Sequence, residues 1–442
     1  MPATVRIGCG AGFAGDRLEP ALVLAERGNL DFLILECLAE RTIALAQLRR
    51  QHDPNAGYDV LLERRMTGLL PLSKKNRIRL VTNMGAANPV AAAERVIALA
   101  RELGIKVRVA AVTGDDVLDA LDRGQPTLET GEPVASAGPL VSANAYLGID
   151  AILPALDAGA DIVITGRVAD PSLALAPLAH RFGWSLDDHE KLARGTVVGH
   201  LLECGGQLTG GYYADPGKKD VAGLAELGFP FADVDRDGNA QFGKVEGTGG
   251  KIDLSTVTEQ LLYEVTDPAA YLTPDVSADF STVTLCEVGP DRVAVSGAGG
   301  NKRPDTLKVS VGYHAGYIGE GEIGYAGENS AARAKLAGEI VAARLRGQFQ
   351  ELRVDLIGLS ALHTRPMPAE DGYRPYEVRL RVAGRSADEA VARRIGEEVE
   401  ALYTNGPAGG GGARKYVTEQ IGVVSCLMAR HKVRPQVSCF DA

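Results

Sequence analysis

The sequence predicts an α/β protein: an N-terminal domain on a parallel sheet, an irregular β-rich middle region, and a small α+β, ferredoxin-like C-terminal domain. Three observations predict it. The first half holds five short, mostly apolar runs, each ending at glycine or a polar residue, with helical patterns between them. From about residue 195 the chain becomes dense in glycine and loses long helical periods. From Thr306 strands and long helices return. The expected domains are 1–194, 195–304 and 305–442.

The five runs are Val5–Cys9, Phe32–Leu35, Ile78–Thr82, Val107–Val112 and Ile162–Thr165. Continuous apolar runs are the texture of strands buried on both faces. Helical spacing recurs over Pro20–Glu26, Glu40–Arg50, Pro89–Leu103, Asp115–Leu121 and Asn144–Ala158. Such β-α repetition sets strands parallel, and open α/β sheets place ligands at the carboxyl edge. Glu36, Asn83, Asp115, Arg167 and Asp170 follow the strand ends and should converge on one crevice there. In the middle region a helix stands out at Thr256–Val265, and Thr282–Val288 with Arg292–Ser296 reads as a hairpin around Gly289-Pro290. The C-terminal region reads as strand Leu307–Val311, helix Asn329–Leu345, strands Leu352–Leu359 and Tyr376–Val382, and helix Ala387–Tyr403. The glycine run NGPAGGGG, Asn405–Gly412, then leads to Val417–Met428.

With 45% hydrophobic residues the 442-residue chain has ample material for a core. A net charge of −10, with acids and bases intermixed, argues against nucleic acid or an anionic membrane as the main partner. There is no apolar stretch long enough for a transmembrane helix, and the start lacks a signal peptide's apolar core. A cytoplasmic location is expected. The six cysteines form no CxxC pair, which argues against a zinc ribbon or an iron–sulfur set.

The segment DIVITGRVAD, Asp161–Asp170, carries the strongest chemical signal. It is a strand that ends in a glycine turn bearing Arg167 and Asp170. The arginine suits bidentate binding of a carboxylate or phosphate, and the aspartate can act as base or cap the next helix. About thirty residues on, in GHLLECGGQ, His200 and Glu203 stand three apart. That spacing suits an acid–base pair or metal ligands; a metal would need a third ligand from Cys204 or a distant aspartate, and no metal is assigned. Cys204 is a candidate nucleophile if a neighbour lowers its pKa. Asn83 and Glu36 are candidate substrate contacts at the same edge.

Three glycine-rich segments remain. GCGAGFAGD, Gly8–Asp16, departs from the dinucleotide pattern at Phe13 and reads as a tight turn or a contact to a CoA diphosphate. GKVEGTGGK offers Lys244, Thr248, Gly249 and Gly250 as a loop whose amides could hold an oxyanion. In NGPAGGGG, Asn405, Gly409 and Gly410 are candidates for a lid or a backbone contact to an anion.

TGRVADPSLALAPL, GTVVGHLLECGGQLTGGYYADPGKKD, KVEGTGG, TVTEQLLYE, YLTPDV and TNGPAGGGG together resemble the acyclic terpene utilisation AtuA family, over nearly the whole chain. The namesake of that family sits beside genes for geranyl-CoA and related branched acyl-CoA thioesters. The resemblance therefore implies metabolism of CoA thioesters or branched carboxylic acids. It brings no established catalytic residues.

The expectation is a metabolic enzyme acting on a branched or multi-carboxylate acid or its CoA thioester, by acid–base lyase or hydratase chemistry. His200, Glu203, Asp170 and Cys204 are the candidate catalytic groups. No cofactor is expected beyond coenzyme A as part of the substrate. The partner is the small acid or acyl-CoA, and assembly as a homo-oligomer is compatible with the sequence. Two alternatives stay open: a Cys-dependent hydrolase or transferase on acyl thioesters, and a non-catalytic scaffold for an acyl-CoA carboxylase.

Overall fold

The computed structural model describes residues 4–363 and 375–442. In chain order the elements begin β1 (Thr4–Cys9), α1 (Glu19–Arg27), β2 (Phe32–Leu35), α2 (Glu40–His52), α3 (Leu62–Asn76), β3 (Arg79–Thr82), α4 (Pro89–Glu102) and β4 (Arg108–Thr113). Next come β5 (Leu140–Ala145), α5 (Ile149–Asp157), β6 (Ile162–Thr165), α6 (Ser172–Phe182), α7 (His189–Glu203), β7 (Pro230–Asp235), β8 (Ala240–Lys244) and α8 (Leu254–Leu262). There follow β9 (Tyr271–Leu272), β10 (Ser277–Asp279), β11 (Thr284–Gly289), β12 (Arg292–Ser296), β13 (Gly299–Asn301), β14 (Thr306–Ala326), α9 (Ser330–Arg344) and β15 (Glu351–Ile357). The chain closes with β16 (Glu377–Ser386), α10 (Glu389–Glu400), α11 (Leu402–Asn405), β17 (Gly411–Ala429) and β18 (Gln436–Asp441).

Two compact units emerge: the chain up to Gly312 with Val423–Ala442, and Tyr313–Gly422. The breaks expected at 194/195 and 304/305 both fall inside the first unit.

Among the described residues, the first unit holds a ten-stranded sheet in the order β11-β12-β8-β7-β1-β2-β3-β6-β4-β18. Its centre, β1-β2-β3-β6-β4, is parallel, as the continuous apolar runs require. Alternate residues of these strands feed two cores. Ile7, Ile34, Val81 and Val163 face α5, α6 and α7, whereas Leu33, Leu80, Val109 and Ile164 face α1, α3 and α4. The sheet is mixed rather than purely parallel. Hairpin strands of the glycine-dense region extend it, with β7 antiparallel to β1 and β8 antiparallel to β7, and β18 adds antiparallel to β4 at the other edge. The middle region thus shares a sheet with the N-terminal strands, because its strands alternate as in hairpins and need only one free edge.

Local signals set several helix starts. Asn88 accepts from the Ala91 amide at the start of α4, where Pro89 occupies the first turn, and Asp188 caps α7 by accepting from Lys191. Two expected helices are corrected. Asp115–Leu121 contains only a single 3₁₀ turn, Leu118–Ala120, because Asp115 is tied into the sheet edge. Asn144 lies in β5, which runs to Ala145, and the helix that follows starts at Ile149. The additional helices α3 and α6 each contain a proline, Pro71 and Pro177. Nine residues of α6 are buried, so it shows no amphipathic period.

The second unit has the order β14-α9-β15-β16-α10-β17 and the sheet order β15-β16-β14-β17. Its core joins Ile323, Tyr325, Leu380 and Val382 to Ala337 and Val341 of α9 and Ile395 and Val399 of α10. No helix among the described residues is long and apolar enough to cross a membrane.

Candidate functional site

Register brings the strand ends level. Leu35 pairs with Thr82, Thr82 with Ile164, and Thr165 with Val112. The next residues along each strand therefore share one edge. Asn83 donates to Glu36 Oε1 at 2.9 Å and accepts from the Cys37 amide at 2.7 Å. Asp115 Oδ2 accepts from the Arg167 amide and from Asn144, each at 2.9 Å. Gly166 is required between them, since a Cβ there would lie 2.4 Å from an Asp115 oxygen.

Arg167 is only 2% exposed. Nη1 donates to the Leu38 carbonyl, Nη2 lies 3.3 Å from Asp170, and the guanidinium carbon sits 4.0 Å from the Tyr146 ring centre. Tyr146 in turn donates to Glu40, whose carboxylate lies 3.4 Å from Lys308 Nζ. One buried cation thus organises several acids. Burial works to raise Glu40, but Arg167 and the Tyr146 hydroxyl outweigh it and hold it down at about 2. Burial, and then the charge of Asp170, push Glu36 up to about 8. Asp170 is also raised, by burial, against the pull of Arg167.

Helix α7 supplies His200 and Glu203 on one face, one turn apart. Nδ1 lies 3.0 Å from Glu203 Oε1, and Nε2 lies 3.3 Å from the Leu261 carbonyl. Nε2 must donate to that carbonyl, so a single proton is held between Nδ1 and the carboxyl group. The imidazole packs against Tyr271 and Phe280, with ring centres 5.3 and 5.4 Å away. Burial pushes Glu203 up to about 7, and its proximity to Asp170 adds to this. Three buried atoms here lack a partner: Arg167 Nε, Asp170 Oδ1 and Glu203 Oε2.

A cavity of about 360 Å³ opens onto this cluster. Asp170, Tyr146, Tyr271 and Lys308 line its polar part. Of the four residues expected to share a cleft, Asp170 reaches it; Arg167, His200 and Glu203 do not line it, and His200 packs against the lining residue Tyr271. The guanidinium fork of Arg167, expected to clamp a ligand, is taken up by Leu38 and Asp170. Glu36 and Asn83 likewise bond to each other rather than line the cavity. Burial, and then Glu203, push the Cys204 thiol up, opposite to what a nucleophile needs.

The glycine loops have other duties. The amides of Thr248, Gly249, Gly250 and Lys251 donate to Val245, Glu226, Ala222 and Thr209 carbonyls, so these four are already engaged. Lys244 is 5% exposed, pairs with Asp291 at 3.0 Å and donates to the Thr248 carbonyl. In the first loop, Gly12 donates to Asp16 at 2.8 Å rather than to a phosphate. Asn405, Gly409 and Gly410 belong to the second unit. There Asn405 donates to the Ala401 carbonyl, Gly409 has φ +74°, and Gly410 packs against Ile323 and Tyr325. Among the described residues no group of three or more His, Cys, Asp or Glu could hold a metal ion.

Sequence reasoning missed Tyr146, Glu40, Lys308 and Tyr271. The available signals were a charged Lys308 in the otherwise apolar alternation TLKVSV and an aromatic Tyr146 two residues past Asn144.

The family described as acyclic terpene utilisation family protein AtuA matches residues 5–439. No match was found among curated proteins or among solved structures.

Proposed function

Since the chain belongs to the acyclic terpene utilisation AtuA family, we propose that it is an enzyme acting on a carboxylic acid or its CoA thioester by acid–base lyase or hydratase chemistry. One observation carries this reading. Asp170 lines the cavity, its carboxyl is raised by burial against the pull of Arg167, and behind it stands a second acid, Glu203, pushed up to about 7 by burial and then by Asp170. General acids and bases work best when they titrate near the operating pH. In this proposal Asp170 takes the proton beside the substrate carbonyl. Lys308 holds the carbonyl or carboxylate oxygen as charge develops. In a dehydration Asp170 returns that proton to the departing hydroxyl, which leaves as water, and the carboxylate is restored. Arg167 is a positioning residue that acts through Asp170.

The raised thiol of Cys204 disfavours the thiol-dependent alternative, and the meeting of Asp170, Lys308, Tyr146 and Tyr271 at one cavity disfavours the scaffold. The second unit is read as ferredoxin-like, supported by its β-α-β-β-α-β order. A cytoplasmic setting is proposed with it, since six free cysteines suit a reducing compartment.

The test is deuterium incorporation. Acyl-CoA thioesters and free di- and tricarboxylates, incubated with the protein in D₂O, are analysed by mass spectrometry for label beside the carbonyl and for gain or loss of water. Asp170→Asn should reduce the rate ~10²–10⁴-fold. Absence of exchange and of turnover on every substrate would end this reading.

A further inference from the structure

We infer that the Asp170 cavity selects an acid with one anionic end and an apolar body, and rejects di- and tricarboxylates. This rests on the proposed acid-handling role of the same site and narrows its substrate. Leu128, Leu272, Leu307 and Leu427, with Pro171 and Pro304, form its apolar walls. Among the described residues that line it, Lys308 is the cation and Asp170 the anion. One carboxylate, or a polarised thioester oxygen, can meet Lys308. A second would face Asp170, which repels it, the uncharged hydroxyls of Thr273, Thr306 and Tyr271, which cannot neutralise it, or leucine and proline walls that offer no hydrogen bond. Glu40 shares Lys308 at 3.4 Å, so even the first carboxylate enters by displacing an exposed pair, which costs little.

Size points the same way. At ~30 Å³ for each water-sized group, about 360 Å³ holds about a dozen non-hydrogen atoms. That suits an acyl body and leaves a CoA moiety outside.

The test is calorimetric binding to the full chain, which needs no turnover. Acetate, butanoate, hexanoate and octanoate form one series, with 3-methylbutanoate as a branched member. Citrate and propane-1,2,3-tricarboxylate form the other, and octanamide replaces the charge. Affinity should rise about fourfold per methylene, ~0.8 kcal/mol, until the cavity is full. The tricarboxylates should bind no better than acetate. Lys308→Met, at an exposed position, should abolish the preference for octanoate over octanamide. A flat chain-length series, tighter binding of a tricarboxylate than of octanoate, or no binding by any probe would each overturn the inference. Graded binding without deuterium exchange would uphold it while removing the proposed chemistry.

Discussion

The guanidinium carbon of Arg167 lies 4.0 Å from the centre of the Tyr146 ring, inside a shell that also holds Glu36, Glu40 and Asp170. A cation buried to 2% exposure among acids offsets part of the desolvation they suffer, and would itself be left uncompensated without them.

Arg167→Leu should therefore destabilise the fold by ~3–5 kcal/mol, the usual cost of removing one partner from a buried ionic group. Arg167→Lys keeps the charge and should lose less, ~1–2 kcal/mol, as the stacked planar fork disappears. Urea denaturation measures both. Two variants as stable as the parent, with ligand affinity lost instead, would restore the clamp role.

Stability should fall as pH rises from about 4.5 to about 8. Glu36 and Glu203 are raised to about 8 and about 7 from an ordinary 4.5, with burial the first cause in both. The native state then holds protons that the unfolded chain has already released. Stability is therefore highest below the unfolded value and declines up to the folded one. Each group adds a slope of up to ~1.4 kcal/mol per pH unit. Glu203→Gln should flatten the dependence of Tm on pH between 5 and 8. An unchanged slope would place the proton elsewhere.

Cys204→Ala should retain turnover within about threefold, at a stability cost of ~1 kcal/mol. With the thiol raised by burial, iodoacetamide at pH 7 should alkylate it more slowly than a free cysteine. Rapid labelling together with loss of activity would revive the thioester-cleaving alternative.

Gly12→Ala tests how the first loop meets α7. A Cβ at Gly12 would lie 2.3 Å from the Cys204 carbonyl carbon, a backbone atom that cannot swing away. The expected loss is ~1–3 kcal/mol, as for other overpacked sites, accompanied by disturbance of Glu203 next door. An alanine variant of parental Tm would show that the loop has slack.

The parallel core was legible because buried parallel strands carry their signature locally. FLIL is apolar throughout and IVIT is apolar up to Thr165, and parallel pairing then forces their carboxyl ends onto one edge, which is why Glu36, Asn83, Asp115 and Arg167 were expected near one another. The pair His200 and Glu203 was legible for a similar reason, since three residues on a helix are always neighbours. What each group touches was decided by tertiary structure alone. Arg167 meets the Leu38 carbonyl 129 positions away, and Tyr146 reaches Glu40 across 106. No local period encodes such contacts. The glycines illustrate the same limit: a glycine-rich loop reads alike whether its amides await an anion or, as at Gly249 and Gly250, are already spent on carbonyls. Sequence alone determined the five parallel strands of the sheet's centre and the edge at which their polar turn residues gather. Only the packed chain decided which polar atoms remain free, because that depends on partners brought from far along the sequence.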